Sequence, residues 1–211
     1  MTAAPATVLV PPGRVERWVD NVGVRHGELV LEVGDGALVG SAADGSSFAA
    51  RLPFGRAYDG PADAGSFAAA VRNAVPGEWG LLLVRKGGFA VAAMRGTTTT
   101  ASKVGQRHVQ GRTKAGGQSQ QRFARRRDNQ ARQAYEAAAD HAARVLEDLA
   151  RHGGPVVVGG DRAAVEEVLA DPRLGRLEVH EPWLDVPDPR RSVLDEAALR
   201  AASCLVRVVN A

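Results

Sequence analysis

Cysteine occurs once in the 211 residues, at Cys204, so the chain alone can build neither an internal disulfide nor a multi-cysteine metal site. That usage fits a reducing compartment. Aromatic residues make up only 5% of the sequence against 45% hydrophobic residues in all, so a core must be built mainly from Val, Leu and Ala. No apolar run reaches the length of a membrane span, and the start Met-Thr-Ala-Ala-Pro-Ala-Thr-Val-Leu-Val lacks the basic opening and long apolar stretch of a secretion signal. The expectation is a soluble, cytoplasmic protein with no membrane contact. His26, His108, His141, His152 and His180 form no pair at metal-ligand spacing, so no metal and no cofactor is expected. Val158-Gly159-Gly160-Asp161 lacks both the P-loop pattern and the spaced glycines of a dinucleotide site. It reads as a tight turn with Asp161 as a helix N-cap.

Acid is scarce in one place. Between Lys103 and Arg132 nine Lys or Arg face a single acid, Asp128, a local excess of eight positive charges. The whole chain carries +3, so the remainder is net negative by about five charges. A concentrated basic segment on an acidic body is the pattern of a domain that presents one surface to a polyanion such as nucleic acid. A solvated helix face is the commoner fate of a charge run, and the motif inside this one decides between them.

Apolar spacing gives the elements. Val15, Trp18, Val19 and Val22 predict a short helix stopping at Gly23. Leu29–Val33 and Ala37–Val39 flank a Gly-Asp-Gly turn as a strand pair, and Ser66–Val75 reads as helix. Trp79–Arg85, the Gly87-Gly88 turn and Phe89–Met94 form the clearest hairpin, its near-continuous apolar content implying burial on both faces. Thr97–Thr100 suit a sheet extension. From Ser102 to Ala115 there is no usable period, and residues 106–118 are expected to be mobile in the free protein. A long helix follows from about Ser119 to Arg151, with Ala131, Tyr135, Ala138, Ala142, Val145 and Leu149 as the stripe that packs on the sheet. Pro155–Val158 is a buried strand, Asp161–Ala170 a helix, Leu177–Val179 a strand, Glu181–Pro189 a connecting loop and Val193–Ala202 a last helix. The order predicts an α/β fold with a mixed sheet and flanking helices. It is read as a single domain over residues 1–211, with 1–75 an accessory α/β part and 76–211 the core that carries the loop at about 102–121.

The loop holds Gly116-Gly117-Gln118-Ser119, then Arg122-Phe123-Ala124-Arg125-Arg126-Arg127. Two glycines let the main chain approach a ligand closely and present a backbone N–H without obstruction. The Gln118 amide does not titrate near neutral pH, so any catalysis through it works by orienting water and stabilising developing charge.

This run, without a gap from Gly116 to Arg127, closely resembles the catalytic loop and following helix of archaeal and eukaryotic class-1 peptide release factors. The order of elements from about Trp79 to Ala202 looks like that family's middle domain, which has an RNase H-like fold. These 211 residues are expected to leave no room for the codon-reading and GTPase-binding domains of such factors. What remains resembles the stand-alone Vms-like release factors of ribosome quality control, including their actinobacterial type. The resemblance implies a monomeric, ribosome-associated peptidyl-tRNA hydrolase. Gly116, Gly117 and Gln118 would enter the peptidyl-transferase centre of the large subunit, against the ester of P-site peptidyl-tRNA. Arg112, Lys114, Arg122, Arg125, Arg126 and Arg127 would grip RNA phosphates. Two rivals stay open: an endonuclease that cuts the tRNA 3′ end, and an RNA-binding module in which the glycines only turn the chain.

Overall fold

A computed structural model describes residues 4–106 and 119–211, with side chains in the second stretch from residue 132 onward. The chain divides into two compact units, one made of residues 1–76, 180–182 and 198–211, the other of residues 77–179 and 183–197.

The first unit holds an antiparallel sheet of five strands in the order β1-β10-β4-β3-β2. These are β1 Ala6–Val10, β2 Leu29–Gly34, β3 Ala37–Ala42, β4 Ser47–Arg51 and, from the far end of the sequence, β10 Cys204–Val209. The helices α1 Val15–His26 and α2 Ala64–Ala74 belong to the same unit. The core gathers Val15 and Val19 from α1, Phe67 and Val71 from α2, and Leu38, Phe48 and Val206 from the sheet. Helix α1 runs through Gly23 and stops at Gly27, whose φ of 89° suits glycine. The expected stop at Gly23 is therefore four residues early. Helix α2 starts at a capped end, where the Asp63 carboxylate accepts from the Ser66 N–H at 2.8 Å.

Cys204 is buried beside Val10 in this core, and burial pushes its thiol up to about 12. Thiolate is the reactive form. Native protein is therefore expected to resist a thiol-specific reagent at mildly alkaline pH and to react at one equivalent only after denaturation, as read by mass spectrometry. Rapid labelling of the native chain would contradict the packing.

The second unit carries most of the mixed sheet β7-β6-β5-β8-β9, with β5 Glu78–Arg85, β6 Gly88–Arg95, β7 Thr98–Gln106, β8 Pro155–Gly160 and β9 Glu178–Leu184, of which residues 180–182 group with the first unit. Strand β5 pairs antiparallel with β6 and parallel with β8. Leu81, Leu82 and Leu83 are fully buried in succession, so β5 is covered on both faces, as its sequence implies. Leu82, Val84, Val91, Val156 and Val158 form one layer with Ala138, Ala142 and Leu146, while α5 Arg162–Leu169 adds Val165 and Val168. Alanines at 138, 139 and 142 let the helix backbone lie close to the sheet.

The long helix divides in two, α3 Ser119–Val145 and α4 Glu147–His152, with Leu146 between them at φ −104° and ψ 18°. The i to i−4 hydrogen bonds of Leu146 and Ala150 persist across the join, so the apolar period survives the bend. The last helix is α6 Arg191–Ala201. Asp161 occupies the N-cap of α5, but its side chain makes no capping hydrogen bond. Its backbone N–H donates instead to the Val84 carbonyl at 2.8 Å.

Two expectations need correction. Strand β7 extends to Gln106, because its Thr and Lys side chains sit on an edge strand where exposure carries no penalty. Strand β9 continues to Leu184, through part of the expected loop. It lies at the other edge, where Pro182 can sit without its missing N–H.

Candidate functional site

The second unit provides the base from which the basic segment departs. Gly88 and Gln106 pair at the last register position of β6 and β7, directly after the β5–β6 turn. Helix α3 begins at Ser119. Arg112, Lys114, Gly116, Gly117 and Gln118 lie between these points, outside the described residues. Arg122, Arg125, Arg126 and Arg127 fall within the span of α3, and their side chains, with that of Phe123, lie outside the described residues as well.

The end of β7 and helix α3 are locked together. Gly105 lies under the Phe89 ring, and a Cβ there would collide with that ring. A Cβ at Gly88 would stand 2.6 Å from the Gly105 carbonyl oxygen, so only glycine lets β6 and β7 close at this point. Phe89 stacks on His141 of α3, with ring centroids 5.3 Å apart and planes at 24°. Arg144 donates to His141 Nδ1 at 3.0 Å, which leaves the ring proton on Nε2. Burial first, then Arg144 and Lys103, hold the His141 pKa below the ordinary value, so the ring is neutral at pH 7.

A cavity of about 190 Å³ lies here, lined by Arg85, Phe89, Gln106, Tyr135, Ala138 and His141. Ligand pockets usually enclose about 300 Å³ or more, so this space is a packing gap between the end of β7 and α3. Arg85 is committed elsewhere, donating to the Val186 carbonyl at 2.6 Å. Nothing in the spacing of the sequence marked this cluster. The only sign was Tyr135 and Ala138 within the helical stripe.

A second anchor fixes α3 from its side. Arg173 reaches Asp140 of α3 at 2.6 Å and Asp171 at 2.7 Å. The Arg173 side chain, followed by its backbone N–H, draws the Asp171 carboxyl down to about 2. A depressed carboxylate contributes stability above its unfolded value and loses it as pH falls through the folded one. The window here runs from 3.8 down to about 2. Asp171→Asn is expected to lower the melting temperature at neutral pH, and the gap to the parent should close across that window. A gap that stays constant on acidification would contradict the pairing.

Among the described residues no group of His, Cys, Asp and Glu is placed to hold a metal ion, and no helix is long and apolar enough to cross a membrane.

The model of the Actinobacteria/chloroflexi VLRF1 release factor family matches residues 77–207, more than half of the chain. The chain belongs to this family. That match covers the hairpin, the basic segment with Gly116-Gly117-Gln118, and all of α3. VLRF1 membership gives the chain a role in translation as a release or rescue factor that interacts with the ribosome. Among solved structures the chain is similar to the "Vms1 mitochondrial localization core", with a TM-score of 0.45 and 14% identity over 91% of this chain and 82% of that one. It is also similar to archaeal translation termination factor aRF1, with a TM-score of 0.43 and 14% identity, covering 95% of this chain and 65% of that one. The chain thus spans just under two thirds of that factor. Comparison with curated proteins finds no match.

Proposed function

We propose that this VLRF1 family member is a ribosome-dependent peptidyl-tRNA hydrolase that frees nascent chains from stalled or split ribosomes in the cytoplasm. The observation that carries the reading is a family match that encloses Gly116-Gly117-Gln118 and the arginine-rich start of α3. Residues from about 76 onward supply the release core, and residues 1–75 an accessory part.

The chemistry follows from what the tip has and lacks. It contains no acid or base, so the peptidyl-tRNA ester is hydrolysed by positioned water in an environment made mostly of RNA. The Gln118 backbone N–H stabilises the transition state or the departing 3′-hydroxyl, and its side-chain amide places the water and excludes bulkier nucleophiles. Arg112, Lys114, Arg122, Arg125, Arg126 and Arg127 bind phosphates, which makes docking salt-dependent. The locked base of Gly105, Phe89 and His141 supports the reading, because a tip that works by position needs a rigid footing.

The test uses purified large subunits carrying labelled P-site peptidyl-tRNA, with the peptide and the tRNA 3′ end resolved separately. Free peptide with intact tRNA is the expected result. Shortened tRNA would establish a nuclease, and no release would leave an RNA-binding module.

A further inference from the structure

The first unit lies almost entirely outside the family match, and its helix α1 has a sorted surface. At 100° per residue, Arg14, Arg17, Asn21 and Arg25 fall within one side of the helix, with Trp18 at its margin. Glu16 and Asp20 fall on a separate strip, and Val15, Val19 and Val22 face the core. The three arginines are exposed, and among the described residues none of them is held in an ion pair. By contrast Arg95, Arg151, Arg173 and Arg191 each hold a carboxylate. Val24, on the same side, is 86% exposed. Arg14, Arg17, Trp18 and Asn21 line an open cleft of about 420 Å³. Trp18 sits in it half-buried, its orientation fixed by edge-to-face contact with Phe48 at 5.0 Å and 82°.

We infer that this face of α1 is a second RNA-binding surface, taking single-stranded RNA with phosphates on Arg14, Arg17 and Arg25 and a base against the Trp18 ring. An exposed charged helix is usually just solvated. This one differs in three respects: its arginines are unpaired, its acids are sorted away from them, and a rigid aromatic ring lies within their cleft. Unpaired guanidinium groups around an aromatic face suit a phosphate backbone with a splayed base. Asn21 offers both a donor and an acceptor to that base.

The test measures binding of a short fluorescein-labelled oligoadenylate to the full chain by anisotropy over a salt series. Trp fluorescence is followed in parallel. Arg14→Ala, Arg17→Ala and Arg25→Ala combined should weaken binding about tenfold at low salt and reduce the slope of log K against log salt by roughly two, given about 0.7 per phosphate on a single strand. Trp18→Phe keeps a ring against Phe48 and should retain the parent melting temperature while losing the RNA-dependent quenching. Unchanged affinity and slope in the triple variant would overturn the inference. So would unchanged quenching in Trp18→Phe. Loss of ribosome binding with intact oligonucleotide binding would also overturn it and assign the face to a protein. Gln118→Ala should leave every one of these readings unchanged, so failure of the hydrolase proposal and failure of this one are distinguishable.

Discussion

Replacing Gln118 with Ala is expected to lower peptide release from P-site peptidyl-tRNA about a hundredfold, the scale on which misplacing one reacting group acts. Ribosome binding should change little. The variant keeps the backbone N–H and the charge of the arginine run, so it isolates the side chain that positions water. Gly117→Ala tests the other half of the tip: its added Cβ restricts the backbone and should also impair release. The two results separate the proposed reactions. A hydrolase loses free peptide and leaves the tRNA 3′ end intact, whereas an RNA-binding module would keep its function in Gln118→Ala and lose it when Arg122, Arg125, Arg126 and Arg127 are neutralised.

A destabilisation of about 3 kcal/mol is expected for Gly159→Val, from overpacking against backbone that cannot give way. A Cβ at residue 159 would collide with the Leu184 carbonyl oxygen and stand 2.8 Å from the Leu184 Cβ. At the next position Gly160 has a φ of 101°, and a Cβ there would meet the Val84 carbonyl oxygen. The glycine pair therefore lets the end of β8 close between β5 and β9. The Asp161 N–H then reaches Val84 in place of a ligand. Urea unfolding of the full chain measures the effect. An unchanged midpoint for Gly159→Val would contradict this packing account.

The elements legible in the sequence are those whose burial is nearly complete. The β5–β6 hairpin, β8 and the stripe of α3 declare themselves, because Leu81–Val84, Val156–Val158 and the alanines at 138 and 142 all lie inside. Strands β1, β4 and β10 went unread. Each is short, and β10 gains its meaning only from Val206 meeting Val8 on one side and Ala50 on the other, partners that no local window contains. Gly23 misled because a helix tolerates glycine at modest cost. The stop needed the positive φ of Gly27, which spacing does not show. The bend at Leu146 was hidden because the residues on both sides keep the same apolar rhythm. At the candidate site, the Gly-Gly-Gln motif can be read in the sequence but lies outside the described residues. The cluster of Gly105, Phe89 and His141 cannot be read there, since these residues meet only once two strands and a helix are assembled.

The pairing of Ala6 with Val208 and of Phe48 with the same residue has a consequence for biosynthesis. A ribosome delivers β1 and β4 early, but the strand that lies between them emerges only after the whole of residues 77–197 has been made. The earlier strands must wait with open edges, and the closure of so distant a contact is slow. The portion with the Gly-Gly-Gln segment can thus mature on the ribosome before the N-terminal sheet is sealed. A transcript cut short before Cys204 would yield a chain whose first unit never closes, left open to proteolysis.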